Sequence, residues 1–163
     1  MLSTELKLFT NEAELKKAEA ELLLEFPQIG SEKEGFLAVA EAEQIFPFPI
    51  KRTYWVYGCP DGMKRGGHAH HDLHQILICV AGEVLVTLHD GLNEYNFTLN
   101  RPTIGLHQKP MFWGDLTYNQ DAVLLVLASE HYLAEDYIRD YQEFLKIATQ
   151  NYTNSKFKIQ NSK

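Results

Sequence analysis

A chain of 163 residues, 45% hydrophobic and 12% aromatic, is the size of one domain with a short appendage and can bury an ordinary core. Its formal charge of −7 speaks against a general nucleic-acid binder, which carries a basic face, and no apolar run approaches the roughly 20 residues of a membrane helix. Two cysteines do not make a disulfide scaffold, and residues 1–7 lack the charged-then-apolar layout of a secretory signal, so a soluble protein of the reducing cytosol is expected, with no membrane and no nucleic acid as partner.

The first predicted element is a helix over residues 11–25. Asn11 is a good N-cap, Glu14 stands where a capping box needs it, and Leu15, Ala18, Leu22 and Leu23 recur at helical spacing. Pro27 and Gly30 end it, and residues 31–35 read as a connector. From residue 36 the texture turns to short β-like runs at 36–40 and at 50–57. Cys59-Pro60-Asp61-Gly62 signals a turn. Residues 74–80 and 83–89, joined at Ala81-Gly82, read as a hairpin, and Asp90-Gly91 as a second hairpin turn into 95–99. Short runs follow at 104–107 and 111–113, and 122–128 is a continuous apolar strand. A second helix is expected over 135–148, with Tyr137, Ile138, Tyr141, Phe144, Leu145 and Ala148 on one face. Many short strands at close spacing indicate an all-β sandwich or barrel. The expected organisation is a helical extension (1–34), the β domain with its C-terminal helix (35–149), and a polar, disordered tail (150–163).

Chemistry concentrates in Gly62 through Gly82. In a strand, His68 and His70 point the same way because side chains alternate with a period of two, and a pair of imidazoles on one barrel wall suits metal binding or proton transfer. Gly62, His68, His70 and Gly82 fall in the register of the first cupin motif, but Gln75 holds its acidic position. Gly114 falls about where the histidine of the second motif belongs. An amide is a poor ligand for divalent cations, so two of four ligands are missing. His74 or His107 could stand in as a ligand, but His74 should face away from Gln75. Lys51 with Arg52, and Lys64 with Arg65, flank the candidate pocket and together point to an anionic ligand.

Arg65-Gly66-Gly67-His68-Ala69-His70 followed by Gln75-Ile76-Leu77-Ile78-Cys79-Val80-Ala81-Gly82 resembles the sugar 3,4-ketoisomerases, the WxcM-like cupins. Pro49-Ile50-Lys51-Arg52-Thr53-Tyr54, Gly105-Leu106 before Pro110 and Trp113, Leu124 through Ser129, and Asp136-Tyr137-Ile138-Arg139-Asp140-Tyr141 with Phe144 extend the resemblance over about residues 36–146. It implies a small cupin (a double-stranded β-helix, or jelly-roll, barrel), dimeric, with no catalytic metal and no cofactor. Such a protein would move the keto group of a dTDP-linked 4-keto-6-deoxyhexose from C4 to C3 for surface-polysaccharide synthesis. His68 and His70 map onto the family's catalytic pair, Arg52 and Tyr54 onto its strand arginine and tyrosine, and Arg65 onto the arginine before the histidines.

Those residue types suit the chemistry. A histidine takes and gives protons near neutrality, and either ring can serve as the base at C3. Arg52 and Arg65 are expected on the diphosphate. Tyr54 and Trp113 are expected at the base or sugar, with core packing as the other reading of Trp113. Gln75 is expected to meet a sugar hydroxyl or orient a histidine. The chain departs from the family at Glu32-Lys33-Glu34-Gly35, at His74, and at Trp113-Gly114-Asp115, where Trp-His-Glu is usual. A metal-dependent cupin enzyme and a non-catalytic sugar-binding cupin are the alternatives.

Overall fold

The computed structural model describes residues 9 and 11–160, so the expectation drawn from residues 1–7 lies outside the described residues. Helix α1 spans Glu12–Glu21, and the Asn11 side chain accepts from the Glu14 amide at 2.9 Å, as the sequence indicates. The helix stops earlier than its apolar spacing suggests. Leu22 is buried, and Leu23–Glu25 form strand β1. Among the described residues, strands β2 (Gln28–Ser31) and β3 (Gly35–Ala38) pair only with each other, as a two-stranded ribbon with all eight residues exposed.

The remaining strands are β4 (Arg52–Val56), β5 (Met63–His70), β6 (Gln75–Ala81), β7 (Val84–His89), β8 (Glu94–Leu99), β9 (Ile104–Gln108), β10 (Trp113–Tyr118), β11 (Val123–Ala128) and β12 (Tyr137–Ile138). They form two five-stranded sheets, β1-β9-β6-β11-β4 and β12-β5-β10-β7-β8, in which every pairing is antiparallel. The inward faces share one core, with Leu77, Cys79, Leu106, Leu124 and Val126 from the first sheet against Val84, Val86, Leu88, Tyr95, Leu116 and Tyr118 from the second. This is the jelly-roll sandwich of a cupin. Strand β1, which follows α1, is the edge strand of the first sheet, paired with β9.

Three expectations are corrected. The runs on either side of Ala81-Gly82 do not form a hairpin: β6 and β7 lie in different sheets, and the chain crosses between them there. Gly82, at φ 68°, makes the corner, and any Cβ would meet the Ala122 backbone nitrogen at 2.6 Å. The run expected at 111–113 is instead the approach to β10, which extends to Tyr118. The second helix does not begin at 135. A 3-10 turn (Ala134–Asp136) leads into β12, and helix α2 spans Tyr141–Gln160, past residue 149 where the polar tail was expected to start. The turn after β7 runs over residues 90–93, because His89 pairs with Glu94.

Each sheet is covered over part of its outer face. Phe26 and Phe46 pack over Ile76 and Ile78 of β6. Phe144 and Ala148 of α2 pack with Trp113, Ala69 and Ile138.

Candidate active site

Strand β4 alternates, with Arg52, Tyr54 and Val56 half-buried and Thr53 and Trp55 exposed. Its inward residues face a cavity of about 670 Å³ at the mouth of the sandwich. Arg65 and His68 of β5, Gln75 of β6, Gln108 of β9 and Gly114 of β10 complete the inner wall, and Tyr132, Tyr137 and Arg139 close it from the segment before α2. Four cationic side chains, Arg52, Lys64, Arg65 and Arg139, line the cavity, and among the described residues no aspartate or glutamate does. In a chain of charge −7 this is a local inversion of sign, and it favours an anionic occupant. Lys51, the other member of its basic pair, is instead engaged at the surface by Glu130 at 2.6 Å.

The histidines reach the site through a bulge. Strand β5 slips by a residue against β10 between Gly114 and Asp115, where Gly66 and Gly67 adopt φ of 90° and 66°. A Cβ on Gly66 would lie 2.3 Å from the Gly114 carbonyl oxygen. Beyond the bulge, His68 and His70 project to one side with ring centroids 4.9 Å apart and planes nearly perpendicular. Tyr137 packs against both, at 4.9 Å and 4.3 Å, and the Arg139 guanidinium lies 4.3 Å over the Tyr137 ring. His68 is on the cavity wall. His70 is one layer behind, 2% exposed, and its Nε2 is buried without a partner. His68 Nδ1 bonds the Gly66 carbonyl at 3.1 Å, and His70 Nδ1 bonds Asp136 Oδ2 at 3.0 Å.

Burial lowers the pKa of both rings. His70 is brought to about 4 by burial and then by the charge of His68, against the upward pull of Asp136. His68 is lowered by burial, against its bond to Gly66. Both are neutral at pH 7 and able to accept a proton. Tyr54 donates to Gln75 Oε1 at 2.7 Å and is pushed up to about 12 by burial and by Tyr137, so it keeps its proton. The Arg52 guanidinium lies near the Tyr54 and Tyr132 rings, at 5.2 and 5.7 Å, and its Nε is buried with no partner.

Of the residues singled out from sequence, Arg52, Tyr54, Arg65, His68 and Gln75 meet at this cavity, and His70 backs it. Trp113 does not. It points out of the barrel against Tyr141 and Phe144 of α2, with its Nε1 donating to Asp115 Oδ2 at 3.1 Å. Its neighbour Gly114 is the inward residue, so core packing is the correct reading of Trp113. His74 does face away from Gln75, as expected. On the outer side of the first sheet it shares a 3.0 Å hydrogen bond with His107, beside Phe48. His107 is lowered to about 3 by burial, His74 and Lys109.

Sequence reasoning missed Asp136, Tyr137 and Arg139 as site residues because it placed them in a helix. A usable signal was present. Asp140-x-x-Glu143 has the form of a helix start, and Asp140 Oδ1 accepts from the Glu143 amide at 2.8 Å. Tyr132 and Gln108 carried no signal of their own.

Residues 19–149 match the family described as WxcM-like, C-terminal. A curated relative, the TDP-4-oxo-6-deoxy-α-D-glucose-3,4-oxoisomerase of Aneurinibacillus thermoaerophilus, is 37% identical over 125 residues, 76% of this chain and 89% of the relative. The fold matches QdtA, a sugar 3,4-ketoisomerase of Thermoanaerobacterium thermosaccharolyticum solved in complex with TDP. The TM-score is 0.75 at 36% identity, over 80% of this chain and 95% of QdtA. It also matches a 3,4-ketoisomerase of Helicobacter canadensis with a TM-score of 0.73 at 38% identity, over 78% and 96% of the two chains.

Proposed function

The chain belongs to the WxcM-like, C-terminal family, and from that membership and its cavity we propose that it is a nucleotide-sugar 3,4-ketoisomerase acting on a TDP-4-keto-6-deoxyhexose. The observation that carries this reading is the meeting of four cationic side chains, without a carboxylate, at a cavity whose wall holds His68 backed by His70. A diphosphate needs the first and a keto shift needs the second.

The ketone at C4 acidifies the hydrogen on C3. Removing that proton gives an enediolate across C3 and C4. Returning a proton to C4 carbon, with loss of the C3 hydroxyl proton and gain of one at the C4 oxygen, leaves the ketone at C3. No electron leaves the sugar, so the step is a redistribution of protons. We assign it to His68 and His70, one taking the C3 proton while the other serves the developing enediolate. Arg52 and Arg65 grip the diphosphate, joined by Arg139 and Lys64. Tyr54, held protonated, donates toward the sugar or keeps Gln75 oriented for it.

A second copy of the chain is the expected partner. The β2–β3 ribbon exposes Ile29, Phe36 and Leu37 at 57–60%, and an isolated two-stranded ribbon is marginal in water. Two buried unpaired cysteines, Cys59 and Cys79, suit the cytosol. Among the described residues no helix is long and apolar enough to cross a membrane.

Incubation with TDP-4-keto-6-deoxyglucose in deuterated water tests the reading. The expected result is a 3-keto product carrying deuterium at C4, with turnover falling by about 10²–10⁴-fold in His68→Asn and in His70→Asn. Tight TDP binding with no exchange at C3 or C4 would overturn it in favour of a sugar-binding protein.

A further inference from the structure

Asp136 ends the 3-10 turn just before β12 and touches the histidine segment three times. Its Oδ2 lies 3.0 Å from His70 Nδ1. Its Oδ1 accepts from the Asp72 amide at 2.8 Å. Its backbone oxygen accepts from the His71 amide at 2.9 Å. The next residue, Tyr137, faces His70 across the β5–β12 ladder. In both amide bonds Asp136 is the acceptor.

We propose that Asp136 is a positioning residue that fixes the tautomer of His70, so that the proton sits on Nδ1 and the lone pair is left bare on Nε2. The inference rests on the proton-transfer role given above to the histidine pair. Its logic is one of donors and acceptors. A carboxylate can only accept, so the ring nitrogen facing it carries hydrogen. The other nitrogen is then a lone pair, and it is that atom which lies buried with no partner. A buried acceptor with no partner is uncommon unless the site uses it. When Nε2 takes a proton, the resulting imidazolium already has a carboxylate on its far side. His68 has the same tautomer imposed by a carbonyl, that of Gly66, but a neutral oxygen offers much less to a cation. The two rings therefore have unlike support, and Asp136 is the source of the difference.

The Asp72 amide makes the test sharp. In Asp136→Asn only one side-chain oxygen remains. The Asp72 N–H cannot accept, so it takes that oxygen and turns the new NH₂ toward His70 Nδ1. Nδ1 must then become the acceptor, and the ring proton moves to Nε2. The variant keeps all of its hydrogen bonds and has the wrong tautomer.

Nitrogen-15 NMR of the histidine rings in the full-length protein at pH 8, with kcat and KM for the TDP-keto sugar, decides the matter. In the unaltered protein His70 should show Nδ1–H, and in Asp136→Asn it should show Nε2–H. The kcat of Asp136→Asn should fall about 10²–10⁴-fold, with KM within about threefold and the thermal shift on adding TDP retained. Asp136→Glu should recover part of kcat. An unaltered protein with His70 as Nε2–H would overturn the proposal, whether or not any variant folds, and so would a folded Asp136→Asn with near-normal kcat. If the unaltered protein shows the expected tautomer but no turnover, the positioning stands and the ketoisomerase reading fails.

Discussion

Gly114 lies on the inward face of β10, and the side chain of Gln108 occupies the space that a residue there would fill. A Cβ on Gly114 would stand 2.6 Å from Gln108 Nε2, which donates to the Phe112 carbonyl at 3.0 Å. A side chain at position 114 would therefore have to push the Gln108 amide off the Phe112 carbonyl. Gly114→His alone is expected to cost about 1–3 kcal/mol from overpacking, and adding Gln108→Ala should recover most of it. Denaturant unfolding of the two single variants and the double variant would read this as a coupling above about 1 kcal/mol, and additive losses would refute it. At this scale the sequence is informative where period-two alternation can be anchored. Arg52, Tyr54, His68 and Gln75 are all placed by it. Trp113 was misplaced because its strand starts at that residue, and three residues of approach gave no phase to tell its face from that of Gly114.

Helix α2 acts on the site without entering it. Phe144 is fully buried and packs against Trp113, Tyr141 and His89. The Ala148 Cβ fills the hollow at Gly91, where a glycine Cβ would come within 2.5 Å of it. This packing fixes the end of the segment that carries Asp136, Tyr137 and Arg139. Phe144→Ala is therefore expected to cost about 3–5 kcal/mol and to lower activity in step with the loss of folded protein. A folded, stable variant by thermal melting would show that α2 is dispensable. The helix itself is legible in the apolar spacing from Tyr141 to Ala148. Its start is not, because Tyr137 and Ile138 continue that spacing by coincidence across Asp140, and only the cap reveals the break. An all-β sandwich or barrel was legible from strand count and turn spacing, and the jelly roll only through the family resemblance. The crossing at Gly82 was not, because a glycine that makes a hairpin and a glycine that turns a corner between sheets look alike in sequence.

For the molecule as a whole, the bare ribbon is the surface a second copy would cover. If it does, sedimentation at micromolar concentration should give twice the 18.7 kDa chain mass, and Phe36→Asp with Leu37→Asp should reduce this to one. A monomeric unaltered chain would refute the pairing.

The order in which the strands meet also governs how the chain comes to fold. Leu23 pairs with Leu106, and Arg52 with Ala128, so the ladders join segments far apart along the chain. Folds of this kind close their loops slowly, in milliseconds to seconds. The wall bearing Tyr137 and Arg139 follows strands β1–β11 along the chain and is synthesised after them. A nascent chain stopped before residue 139 would hold all twelve strands of the two sheets and the ribbon, and would still lack the Arg139 side of the pocket.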